Sequence, residues 1–200
     1  ADCRYNAEKI LEAARQAAAQ GAKLLITPEL SITGYTCADL FFQKTLLDSA
    51  EQALEYLGDW AKKTKLAVES VRGDLLHMPF AADRFDCIMD YNASYHTDTA
   101  GYLQAISQLR RVLRPGGEVY LTLLSQNDPG FLSAPPESHT DRYTLLHEGG
   151  TPHFYGCQED FSELFQGFSM AMPPREIRTR GPGSTKESVH YHLLLKKEEL

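Results

Sequence analysis

Apolar positions along the chain alternate between two periods, and the alternation predicts the elements. Ile10, Leu11, Ala14, Ala17 and Ala18 lie on one face of a helix over 6–20, with Asn6 as its cap and Gly21 as its stop. "KLLITPEL" is a continuous apolar run closed by Pro28 and predicts a short buried strand. Asp39 can open a second helical stretch. In it Leu46, Leu47, Ala50, Leu54, Leu57 and Ala61 repeat at helical spacing as far as Lys62 and Lys63. "LAVESVRGD" and "RFDCIMDYN" predict the second and third strands. "GYLQAISQLRRVL" predicts an amphipathic helix ended by "RPGG", and "EVYLTLLS" the fourth strand. Residues 126–157 are rich in Pro, Gly, Ser and His and predict a long loop, a candidate lid. "QEDFSELFQGF" predicts a short helix, and 169–179 with 188–196 a closing hairpin.

Helix and strand alternate from residue 6 to 125, the pattern of a parallel sheet covered by helices. The expected fold class is α/β: a Rossmann-like three-layer sandwich, its sheet mostly parallel with a C-terminal antiparallel hairpin. There are no internal repeats. No Pro- or Gly-rich linker interrupts "AKKTKLAVES", so a single domain over 1–200 is expected. Right-handed crossovers give a strand order of 2-1-3-4-6-5, numbered along the chain. That order puts the "LLITPE" strand at the switch point, where open α/β sheets bind ligands.

Charge and composition narrow the partners. The 200 residues carry a net charge of −7, which argues against nucleic acid and anionic membranes. No apolar run is long enough to span a bilayer and no signal peptide opens the sequence, so a cytoplasmic location is expected. Cys3, Cys37, Cys87 and Cys157 form no CxxC pair, which speaks against a zinc site or a disulfide framework. His190 and His192 point to one face of a strand but have no third ligand nearby, so no metal site is assigned.

Two stretches resemble known families. "LLITPELSITGYTCADLFFQ" resembles the start of nitrilase-superfamily amidases, above all the glutaminase domain of glutamine-dependent NAD synthetases. The resemblance covers residues 6 to about 63 and implies that Glu29 is the general base. A rigid, partly desolvated carboxylate at a strand end suits that role. The family's lysine and cysteine motifs have no counterpart here, and Cys37 lies in the early loop rather than at the nucleophile's place.

"VRGDLLHMPFAADRFDCIMDYNASYHTD" followed by "LRRVLRPGGEVYLTLLS" resembles the second half of class I S-adenosylmethionine-dependent methyltransferases. The resemblance runs from about residue 66 to 200. It implies that Asp74 accepts the adenine amino group, that Leu75 offers its backbone N–H to the ring, and that Asp90 and Tyr91 floor the methionine portion. His96 and His153 fall where such an enzyme builds its acceptor pocket and can orient or deprotonate an acceptor. Pro115–Gly117 follows a helix and precedes a strand, the wrong order for a phosphate loop. The family's G-x-G loop and ribose-binding acid have no match before residue 66.

The expectation is therefore a methyltransferase-like protein with a partial S-adenosylmethionine site, the cofactor held weakly or lost. Two alternatives stand beside it: an amide-hydrolase remnant acting through Glu29, and a folded chimera without catalysis. The methyl acceptor is expected to be a small molecule, and an exposed sheet edge favours a homo-oligomer.

Overall fold

A computed structural model describes residues 2–21, 31–34, 43–63, 71, 73–180 and 186–199. The chain forms two compact units, Ala1–Arg72 and Gly73–Leu200.

In the first unit, helices α1 (Cys3–Ala19) and α2 (Lys44–Lys63) pack together. The cap of α1 is Asp2, not Asn6: the Asp2 carboxylate accepts from Tyr5 N at 2.9 Å. Asn6 lies inside the helix and donates to the Ile32 carbonyl at 2.8 Å. Gly21, at φ +81°, follows the helix end as expected. Cys3 and Ala7 meet Leu46 and Ala53. Small residues at this seam bring the helices close, and the apolar stripe of α2 is only partly used. Leu46 and Ala61 are buried, whereas Leu47 and Leu54 remain 51% and 42% exposed. The strand expected at 23–30 and the helix start at Asp39 lie outside the described residues.

The second unit carries the sheet. Its elements are β1 (Phe85–Asp90), α3 (Thr99–Val112), β2 (Leu113–Ser125), α4 (Pro129–Ser133), β3 (Thr144–Leu146), β4 (Pro152–Gly156), α5 (Phe161–Leu164), β5 (Phe168–Met170), β6 (Arg175–Arg180) and β7 (Glu187–Lys197). Strands β1, β2, β7 and β6 are successive neighbours, the order expected for those four. β4 joins the carboxyl end of β2, with β3 beside it, and β5 adds to β7. Among the described residues the sheet is mixed: β1–β2 and β2–β4 are parallel, and the other four pairings are antiparallel. Of the expected strand over 66–74, residues 66–70 are outside the description. Gly73 is irregular, and Asp74 makes one isolated bridge to His77.

Period-two burial fixes the register. Val119, Leu121 and Leu123 of β2 face the same side as their β7 partners Leu195, Leu193 and Tyr191, and all six are at most 4% exposed. Tyr102, Ile106 and Leu109 of α3 cover this face with Phe161 and Phe165. Each such side chain contributes about 1.5–3 kcal/mol by leaving water. Asp98 caps α3, its carboxylate accepting from Gly101 N at 2.8 Å. The helix enters β2 directly at Leu113, and "RPGG" bulges within that strand. Gly116 has φ +71°, and the β1–β2 register slips between Phe85↔Leu113 and Cys87↔Glu118.

Residues 126–157 are not the long loop that their composition predicts. They form α4, β3, β4 and two short 3₁₀ turns. A buried carboxylate, Asp128, and an exposed one, Asp141, organise them. Asp128 accepts from Gly130 N at 2.7 Å and Val189 N at 2.8 Å, tying the segment to β7. Asp141 accepts from Tyr143 N, Thr144 N and the Thr99 hydroxyl, tying it to the start of α3. Among the described residues no helix is long and apolar enough to cross a membrane.

Candidate functional site at the carboxyl ends of the parallel strands

β1 ends at Asp90, and the chain then turns through a loop, 91–98, that is pinned at several points. Asn92 adopts φ +51°, a conformation asparagine tolerates better than most residues. Its backbone N–H donates to Thr122 Oγ1 at 2.8 Å, and the same hydroxyl donates to Asn92 Oδ1 at 2.9 Å. Ser94 N donates to Asp90 Oδ1 at 3.1 Å. Phe154 N donates to the Tyr95 carbonyl at 2.8 Å. The loop is thereby fastened to β1, β2 and β4, and it delivers His96 to the surface beside β4.

β4 delivers His153. The two predicted histidines come together, with His96 Nδ1 2.7 Å from His153 Nε2 and their rings edge to face. His153 Nδ1 is 3.3 Å from the Thr151 carbonyl. Below it His147 stacks at 3.9 Å between centroids, and His147 Nε2 meets the Tyr155 hydroxyl at 2.8 Å. The Tyr95 ring lies 4.6 Å from His96, and its hydroxyl is 3.2 Å from His190 Nε2. Burial, then the neighbouring His147, pushes the His153 pKa down to about 4. Burial also lowers His147, His190 and His192. Burial thus favours neutral imidazole at His147, His153, His190 and His192, and His96 lies on the exposed rim. Among the described residues no group of His, Cys, Asp and Glu has the arrangement to hold a metal ion.

Asp90 and Tyr91 diverge at the strand end. The Asp90 carboxyl is 5% exposed, and burial raises its pKa. Among the described residues its Oδ2 has no hydrogen-bond partner, nor do the nearby Ser94 and Tyr102 hydroxyls. Tyr91 turns outward, with 56% of its surface exposed. Asp74 sits in a turn of its own. Its Oδ1 accepts from Leu76 N at 2.8 Å, which chiefly holds the carboxyl below its usual range, and Oδ2 lies 3.4 Å from His77 Nδ1. Gln104 of α3 ties this turn down by donating to the Leu76 carbonyl at 3.0 Å. Asp74 is exposed and Leu75 half-buried. Glu29 and Cys37 lie outside the described residues.

Sequence reasoning missed His147 and Tyr155. The signal was "HEGGTPH": two histidines flank a Gly-Gly turn, and the β3–β4 hairpin brings them face to face.

Solved structures superimpose on most of the chain. A SAM-dependent methyltransferase from Methanosarcina mazei matches with a TM-score of 0.55 at 15% identity, covering 79% of this chain and 80% of that one. The fold is that of the S-adenosylmethionine-dependent methyltransferases. A Pyrococcus horikoshii protein matches this methyltransferase fold with a TM-score of 0.50 at 16% identity, over 81% of this chain and 79% of its own. The family described as "Methyltransferase domain" matches residues 32–117. A different likeness covers a shorter stretch. The glutamine-dependent NAD(+) synthetase of Synechocystis is 46% identical over 54 residues, 27% of this chain and 10% of that protein. Its counterpart from Mycobacterium tuberculosis is 43% identical over 49 residues, 24% of this chain and 7% of its own length. The matched stretch thus spans a tenth or less of either NAD(+) synthetase.

Proposed function

We propose that the second unit is a methyltransferase domain that binds S-adenosylmethionine weakly at the carboxyl ends of β1 and β2. The observation that carries this reading is the pinned loop after Asp90, which gathers the end of β1 and the His96–His153 pair on one edge of a methyltransferase fold. The residues present suit the cofactor's adenosine end. Asp74 keeps an exposed carboxylate for an exocyclic amine, and no protein acceptor bonds Leu75 N among the described residues. Asp90 and the exposed Tyr91 ring would border the methionine portion. The cofactor supplies a sulfonium methyl group; the chain's residues orient the acceptor and remove its proton. Affinity is low because the glycine-rich loop and ribose-binding acid of such sites have no counterpart in the sequence. Each missing charged hydrogen bond is worth roughly 1.5–3 kcal/mol.

We also infer that the chain joins two ancestries, since a short stretch at 46% identity to NAD synthetases accompanies a methyltransferase fold. An amide-hydrolase activity has less support, because that likeness brings no nucleophile motif.

A thermal melt with and without millimolar S-adenosylhomocysteine tests the proposal. Ligand at ten times Kd raises stability by about 1.4 kcal/mol, or roughly 3–6 °C. Asp74→Ala should abolish that shift while leaving the ligand-free transition in place. An unchanged transition at saturating solubility would remove the cofactor from the account.

A further inference from the structure

The β3–β4 hairpin has an anchored base and a free tip. At the base Leu145, Phe154 and Tyr155 are buried, and Tyr155 N donates to the Tyr143 carbonyl at 2.7 Å. The tip turns through Gly149 and Gly150, at φ +82° and +77°, where a side chain would meet nothing within 4 Å. Two backbone bonds close it: His147 N to the Thr151 carbonyl and Gly150 N to the His147 carbonyl, both 2.9 Å. Imidazoles fasten it to its surroundings. His147 stacks on His153 at 3.9 Å between centroids, and His153 Nε2 meets His96 Nδ1 of the 91–98 loop at 2.7 Å. That stack suits neutral rings. A neutral imidazole offers one N–H and one lone pair, so facing nitrogens pair as donor and acceptor. Protons on two of these rings put like charges in contact. At His153 burial, His147 and His96 all oppose a proton, and the Thr151 carbonyl favours one. Tyr95 faces His153 with its ring, His190 of β7 lies 3.2 Å from the Tyr95 hydroxyl, and Tyr155 meets His147 through its own hydroxyl. The Asp128 carboxylate favours a proton on His147 and His190, but burial, the larger effect, opposes it.

We propose that residues 147–153 form an acid-released strap, held against the loop after β1 while His96, His153 and His147 are neutral and let go when the stack takes up protons. In the released strap each ring is solvated and binds a proton at the ordinary histidine pKa. Release therefore takes up protons, and by linkage acid favours it. The sign follows from His153, which falls from 6.5 to about 4 in the closed arrangement. The ratio of released to closed strap is steady above pH 6.5 and rises as pH falls toward 4, by at most about 30-fold at pH 5. Solvent at this half-buried ring screens part of that gain. Release withdraws His153 from His96 and bares the Tyr95–His96 side of the loop, while Leu145, Phe154 and Tyr155 keep the hairpin base in the core. The strap stands apart from the methyltransferase reading, since it needs no cofactor.

The experiment is amide hydrogen exchange of the full chain by NMR at pH 7.5 and pH 5, corrected for the intrinsic pH dependence of exchange. The amides of His147 and Gly150 report the strap, that of Tyr155 the hairpin base, and those of Leu121 and Leu123 the core of β2. The expected result is a loss of protection at His147 and Gly150 of about three- to 30-fold at pH 5, with Tyr155, Leu121 and Leu123 unchanged. The double substitution His147→Leu with His153→Leu replaces the titrating pair by apolar side chains and should remove the pH response of the strap amides. A loss below threefold in the wild type would overturn the proposal. So would an equal loss at Leu121 and Leu123, which would mean unfolding of the whole unit, or a pH response that survives the double substitution. Should that variant not fold, the histidine rings of the wild type decide the matter through their own titration by long-range proton–nitrogen NMR. His153 is expected to gain its proton over the same pH range in which the strap amides lose protection. A protonated His153 beneath strap amides that stay protected would overturn the proposal.

Discussion

The neutral imidazoles beneath His96 give the protein an acid-sensitive spot. The ordinary histidine pKa is 6.5, and in the folded unit that of His153 falls to about 4. An unfolded chain therefore binds this proton from about pH 6.5 downward while the folded one resists it. The stabilisation is fully present above pH 6.5 and is lost as pH falls toward 4. His147, His190 and His192 are lowered as well and act with the same sign. Asp90 is raised by burial and opposes them at the acid end. Melting temperature measured from pH 8 to pH 4 should fall across that window, and His153→Phe should flatten the fall. A second residue-scale expectation concerns Tyr102. Its ring stacks on Phe154 at 4.1 Å, yet its hydroxyl has no hydrogen-bond partner among the described residues. Tyr102→Phe should stay within about 1 kcal/mol of wild type in urea unfolding. Tyr102→Ala should cost about 3–5 kcal/mol, because the aromatic contact carries the energy.

At the scale of elements, the loop between β1 and α3 and the β3–β4 hairpin make the site. The hairpin depends on a close approach to β2: a Cβ at Gly156 would stand 2.4 Å from Leu123 Cδ2 in the core. Gly156→Ala should destabilise the protein by about 1–3 kcal/mol in urea unfolding, and it should disturb His153 through the strand. These elements were unequally legible in the sequence. α3 and β7 could be read because their apolar periods agree with their burial, whereas Asp90, His96 and His153 were read from the methyltransferase resemblance. The β3–β4 hairpin was hidden for a physical reason. Its strands are short, and its geometry is fixed by two carboxylates with distant partners: Asp128 accepts from Val189 N and Asp141 from the Thr99 hydroxyl. Such partners leave no periodic trace. The α1 cap was misassigned because Asn6 and Asp2 are both good caps, and only the long-range bond from Asn6 to Ile32 separates them.

At the scale of the molecule, the chain has a methyltransferase fold, its described strands all lie in Gly73–Leu200, and the described residues of Ala1–Arg72 include two packed helices. The carboxyl edge of β1 and β2 brings together the exposed Tyr91 ring, the buried Asp90 carboxyl and the exposed His96 ring. The central claim is that this edge receives an adenosyl cofactor. The most direct measurement is a titration of the isotope-labelled chain with S-adenosylhomocysteine, followed through its backbone amide resonances. The account predicts saturable changes at Leu75 and at Asp90–Tyr91, with a half-point at sub-millimolar to millimolar ligand. Amides that stay still at that edge, or that move only elsewhere on the chain, would contradict it.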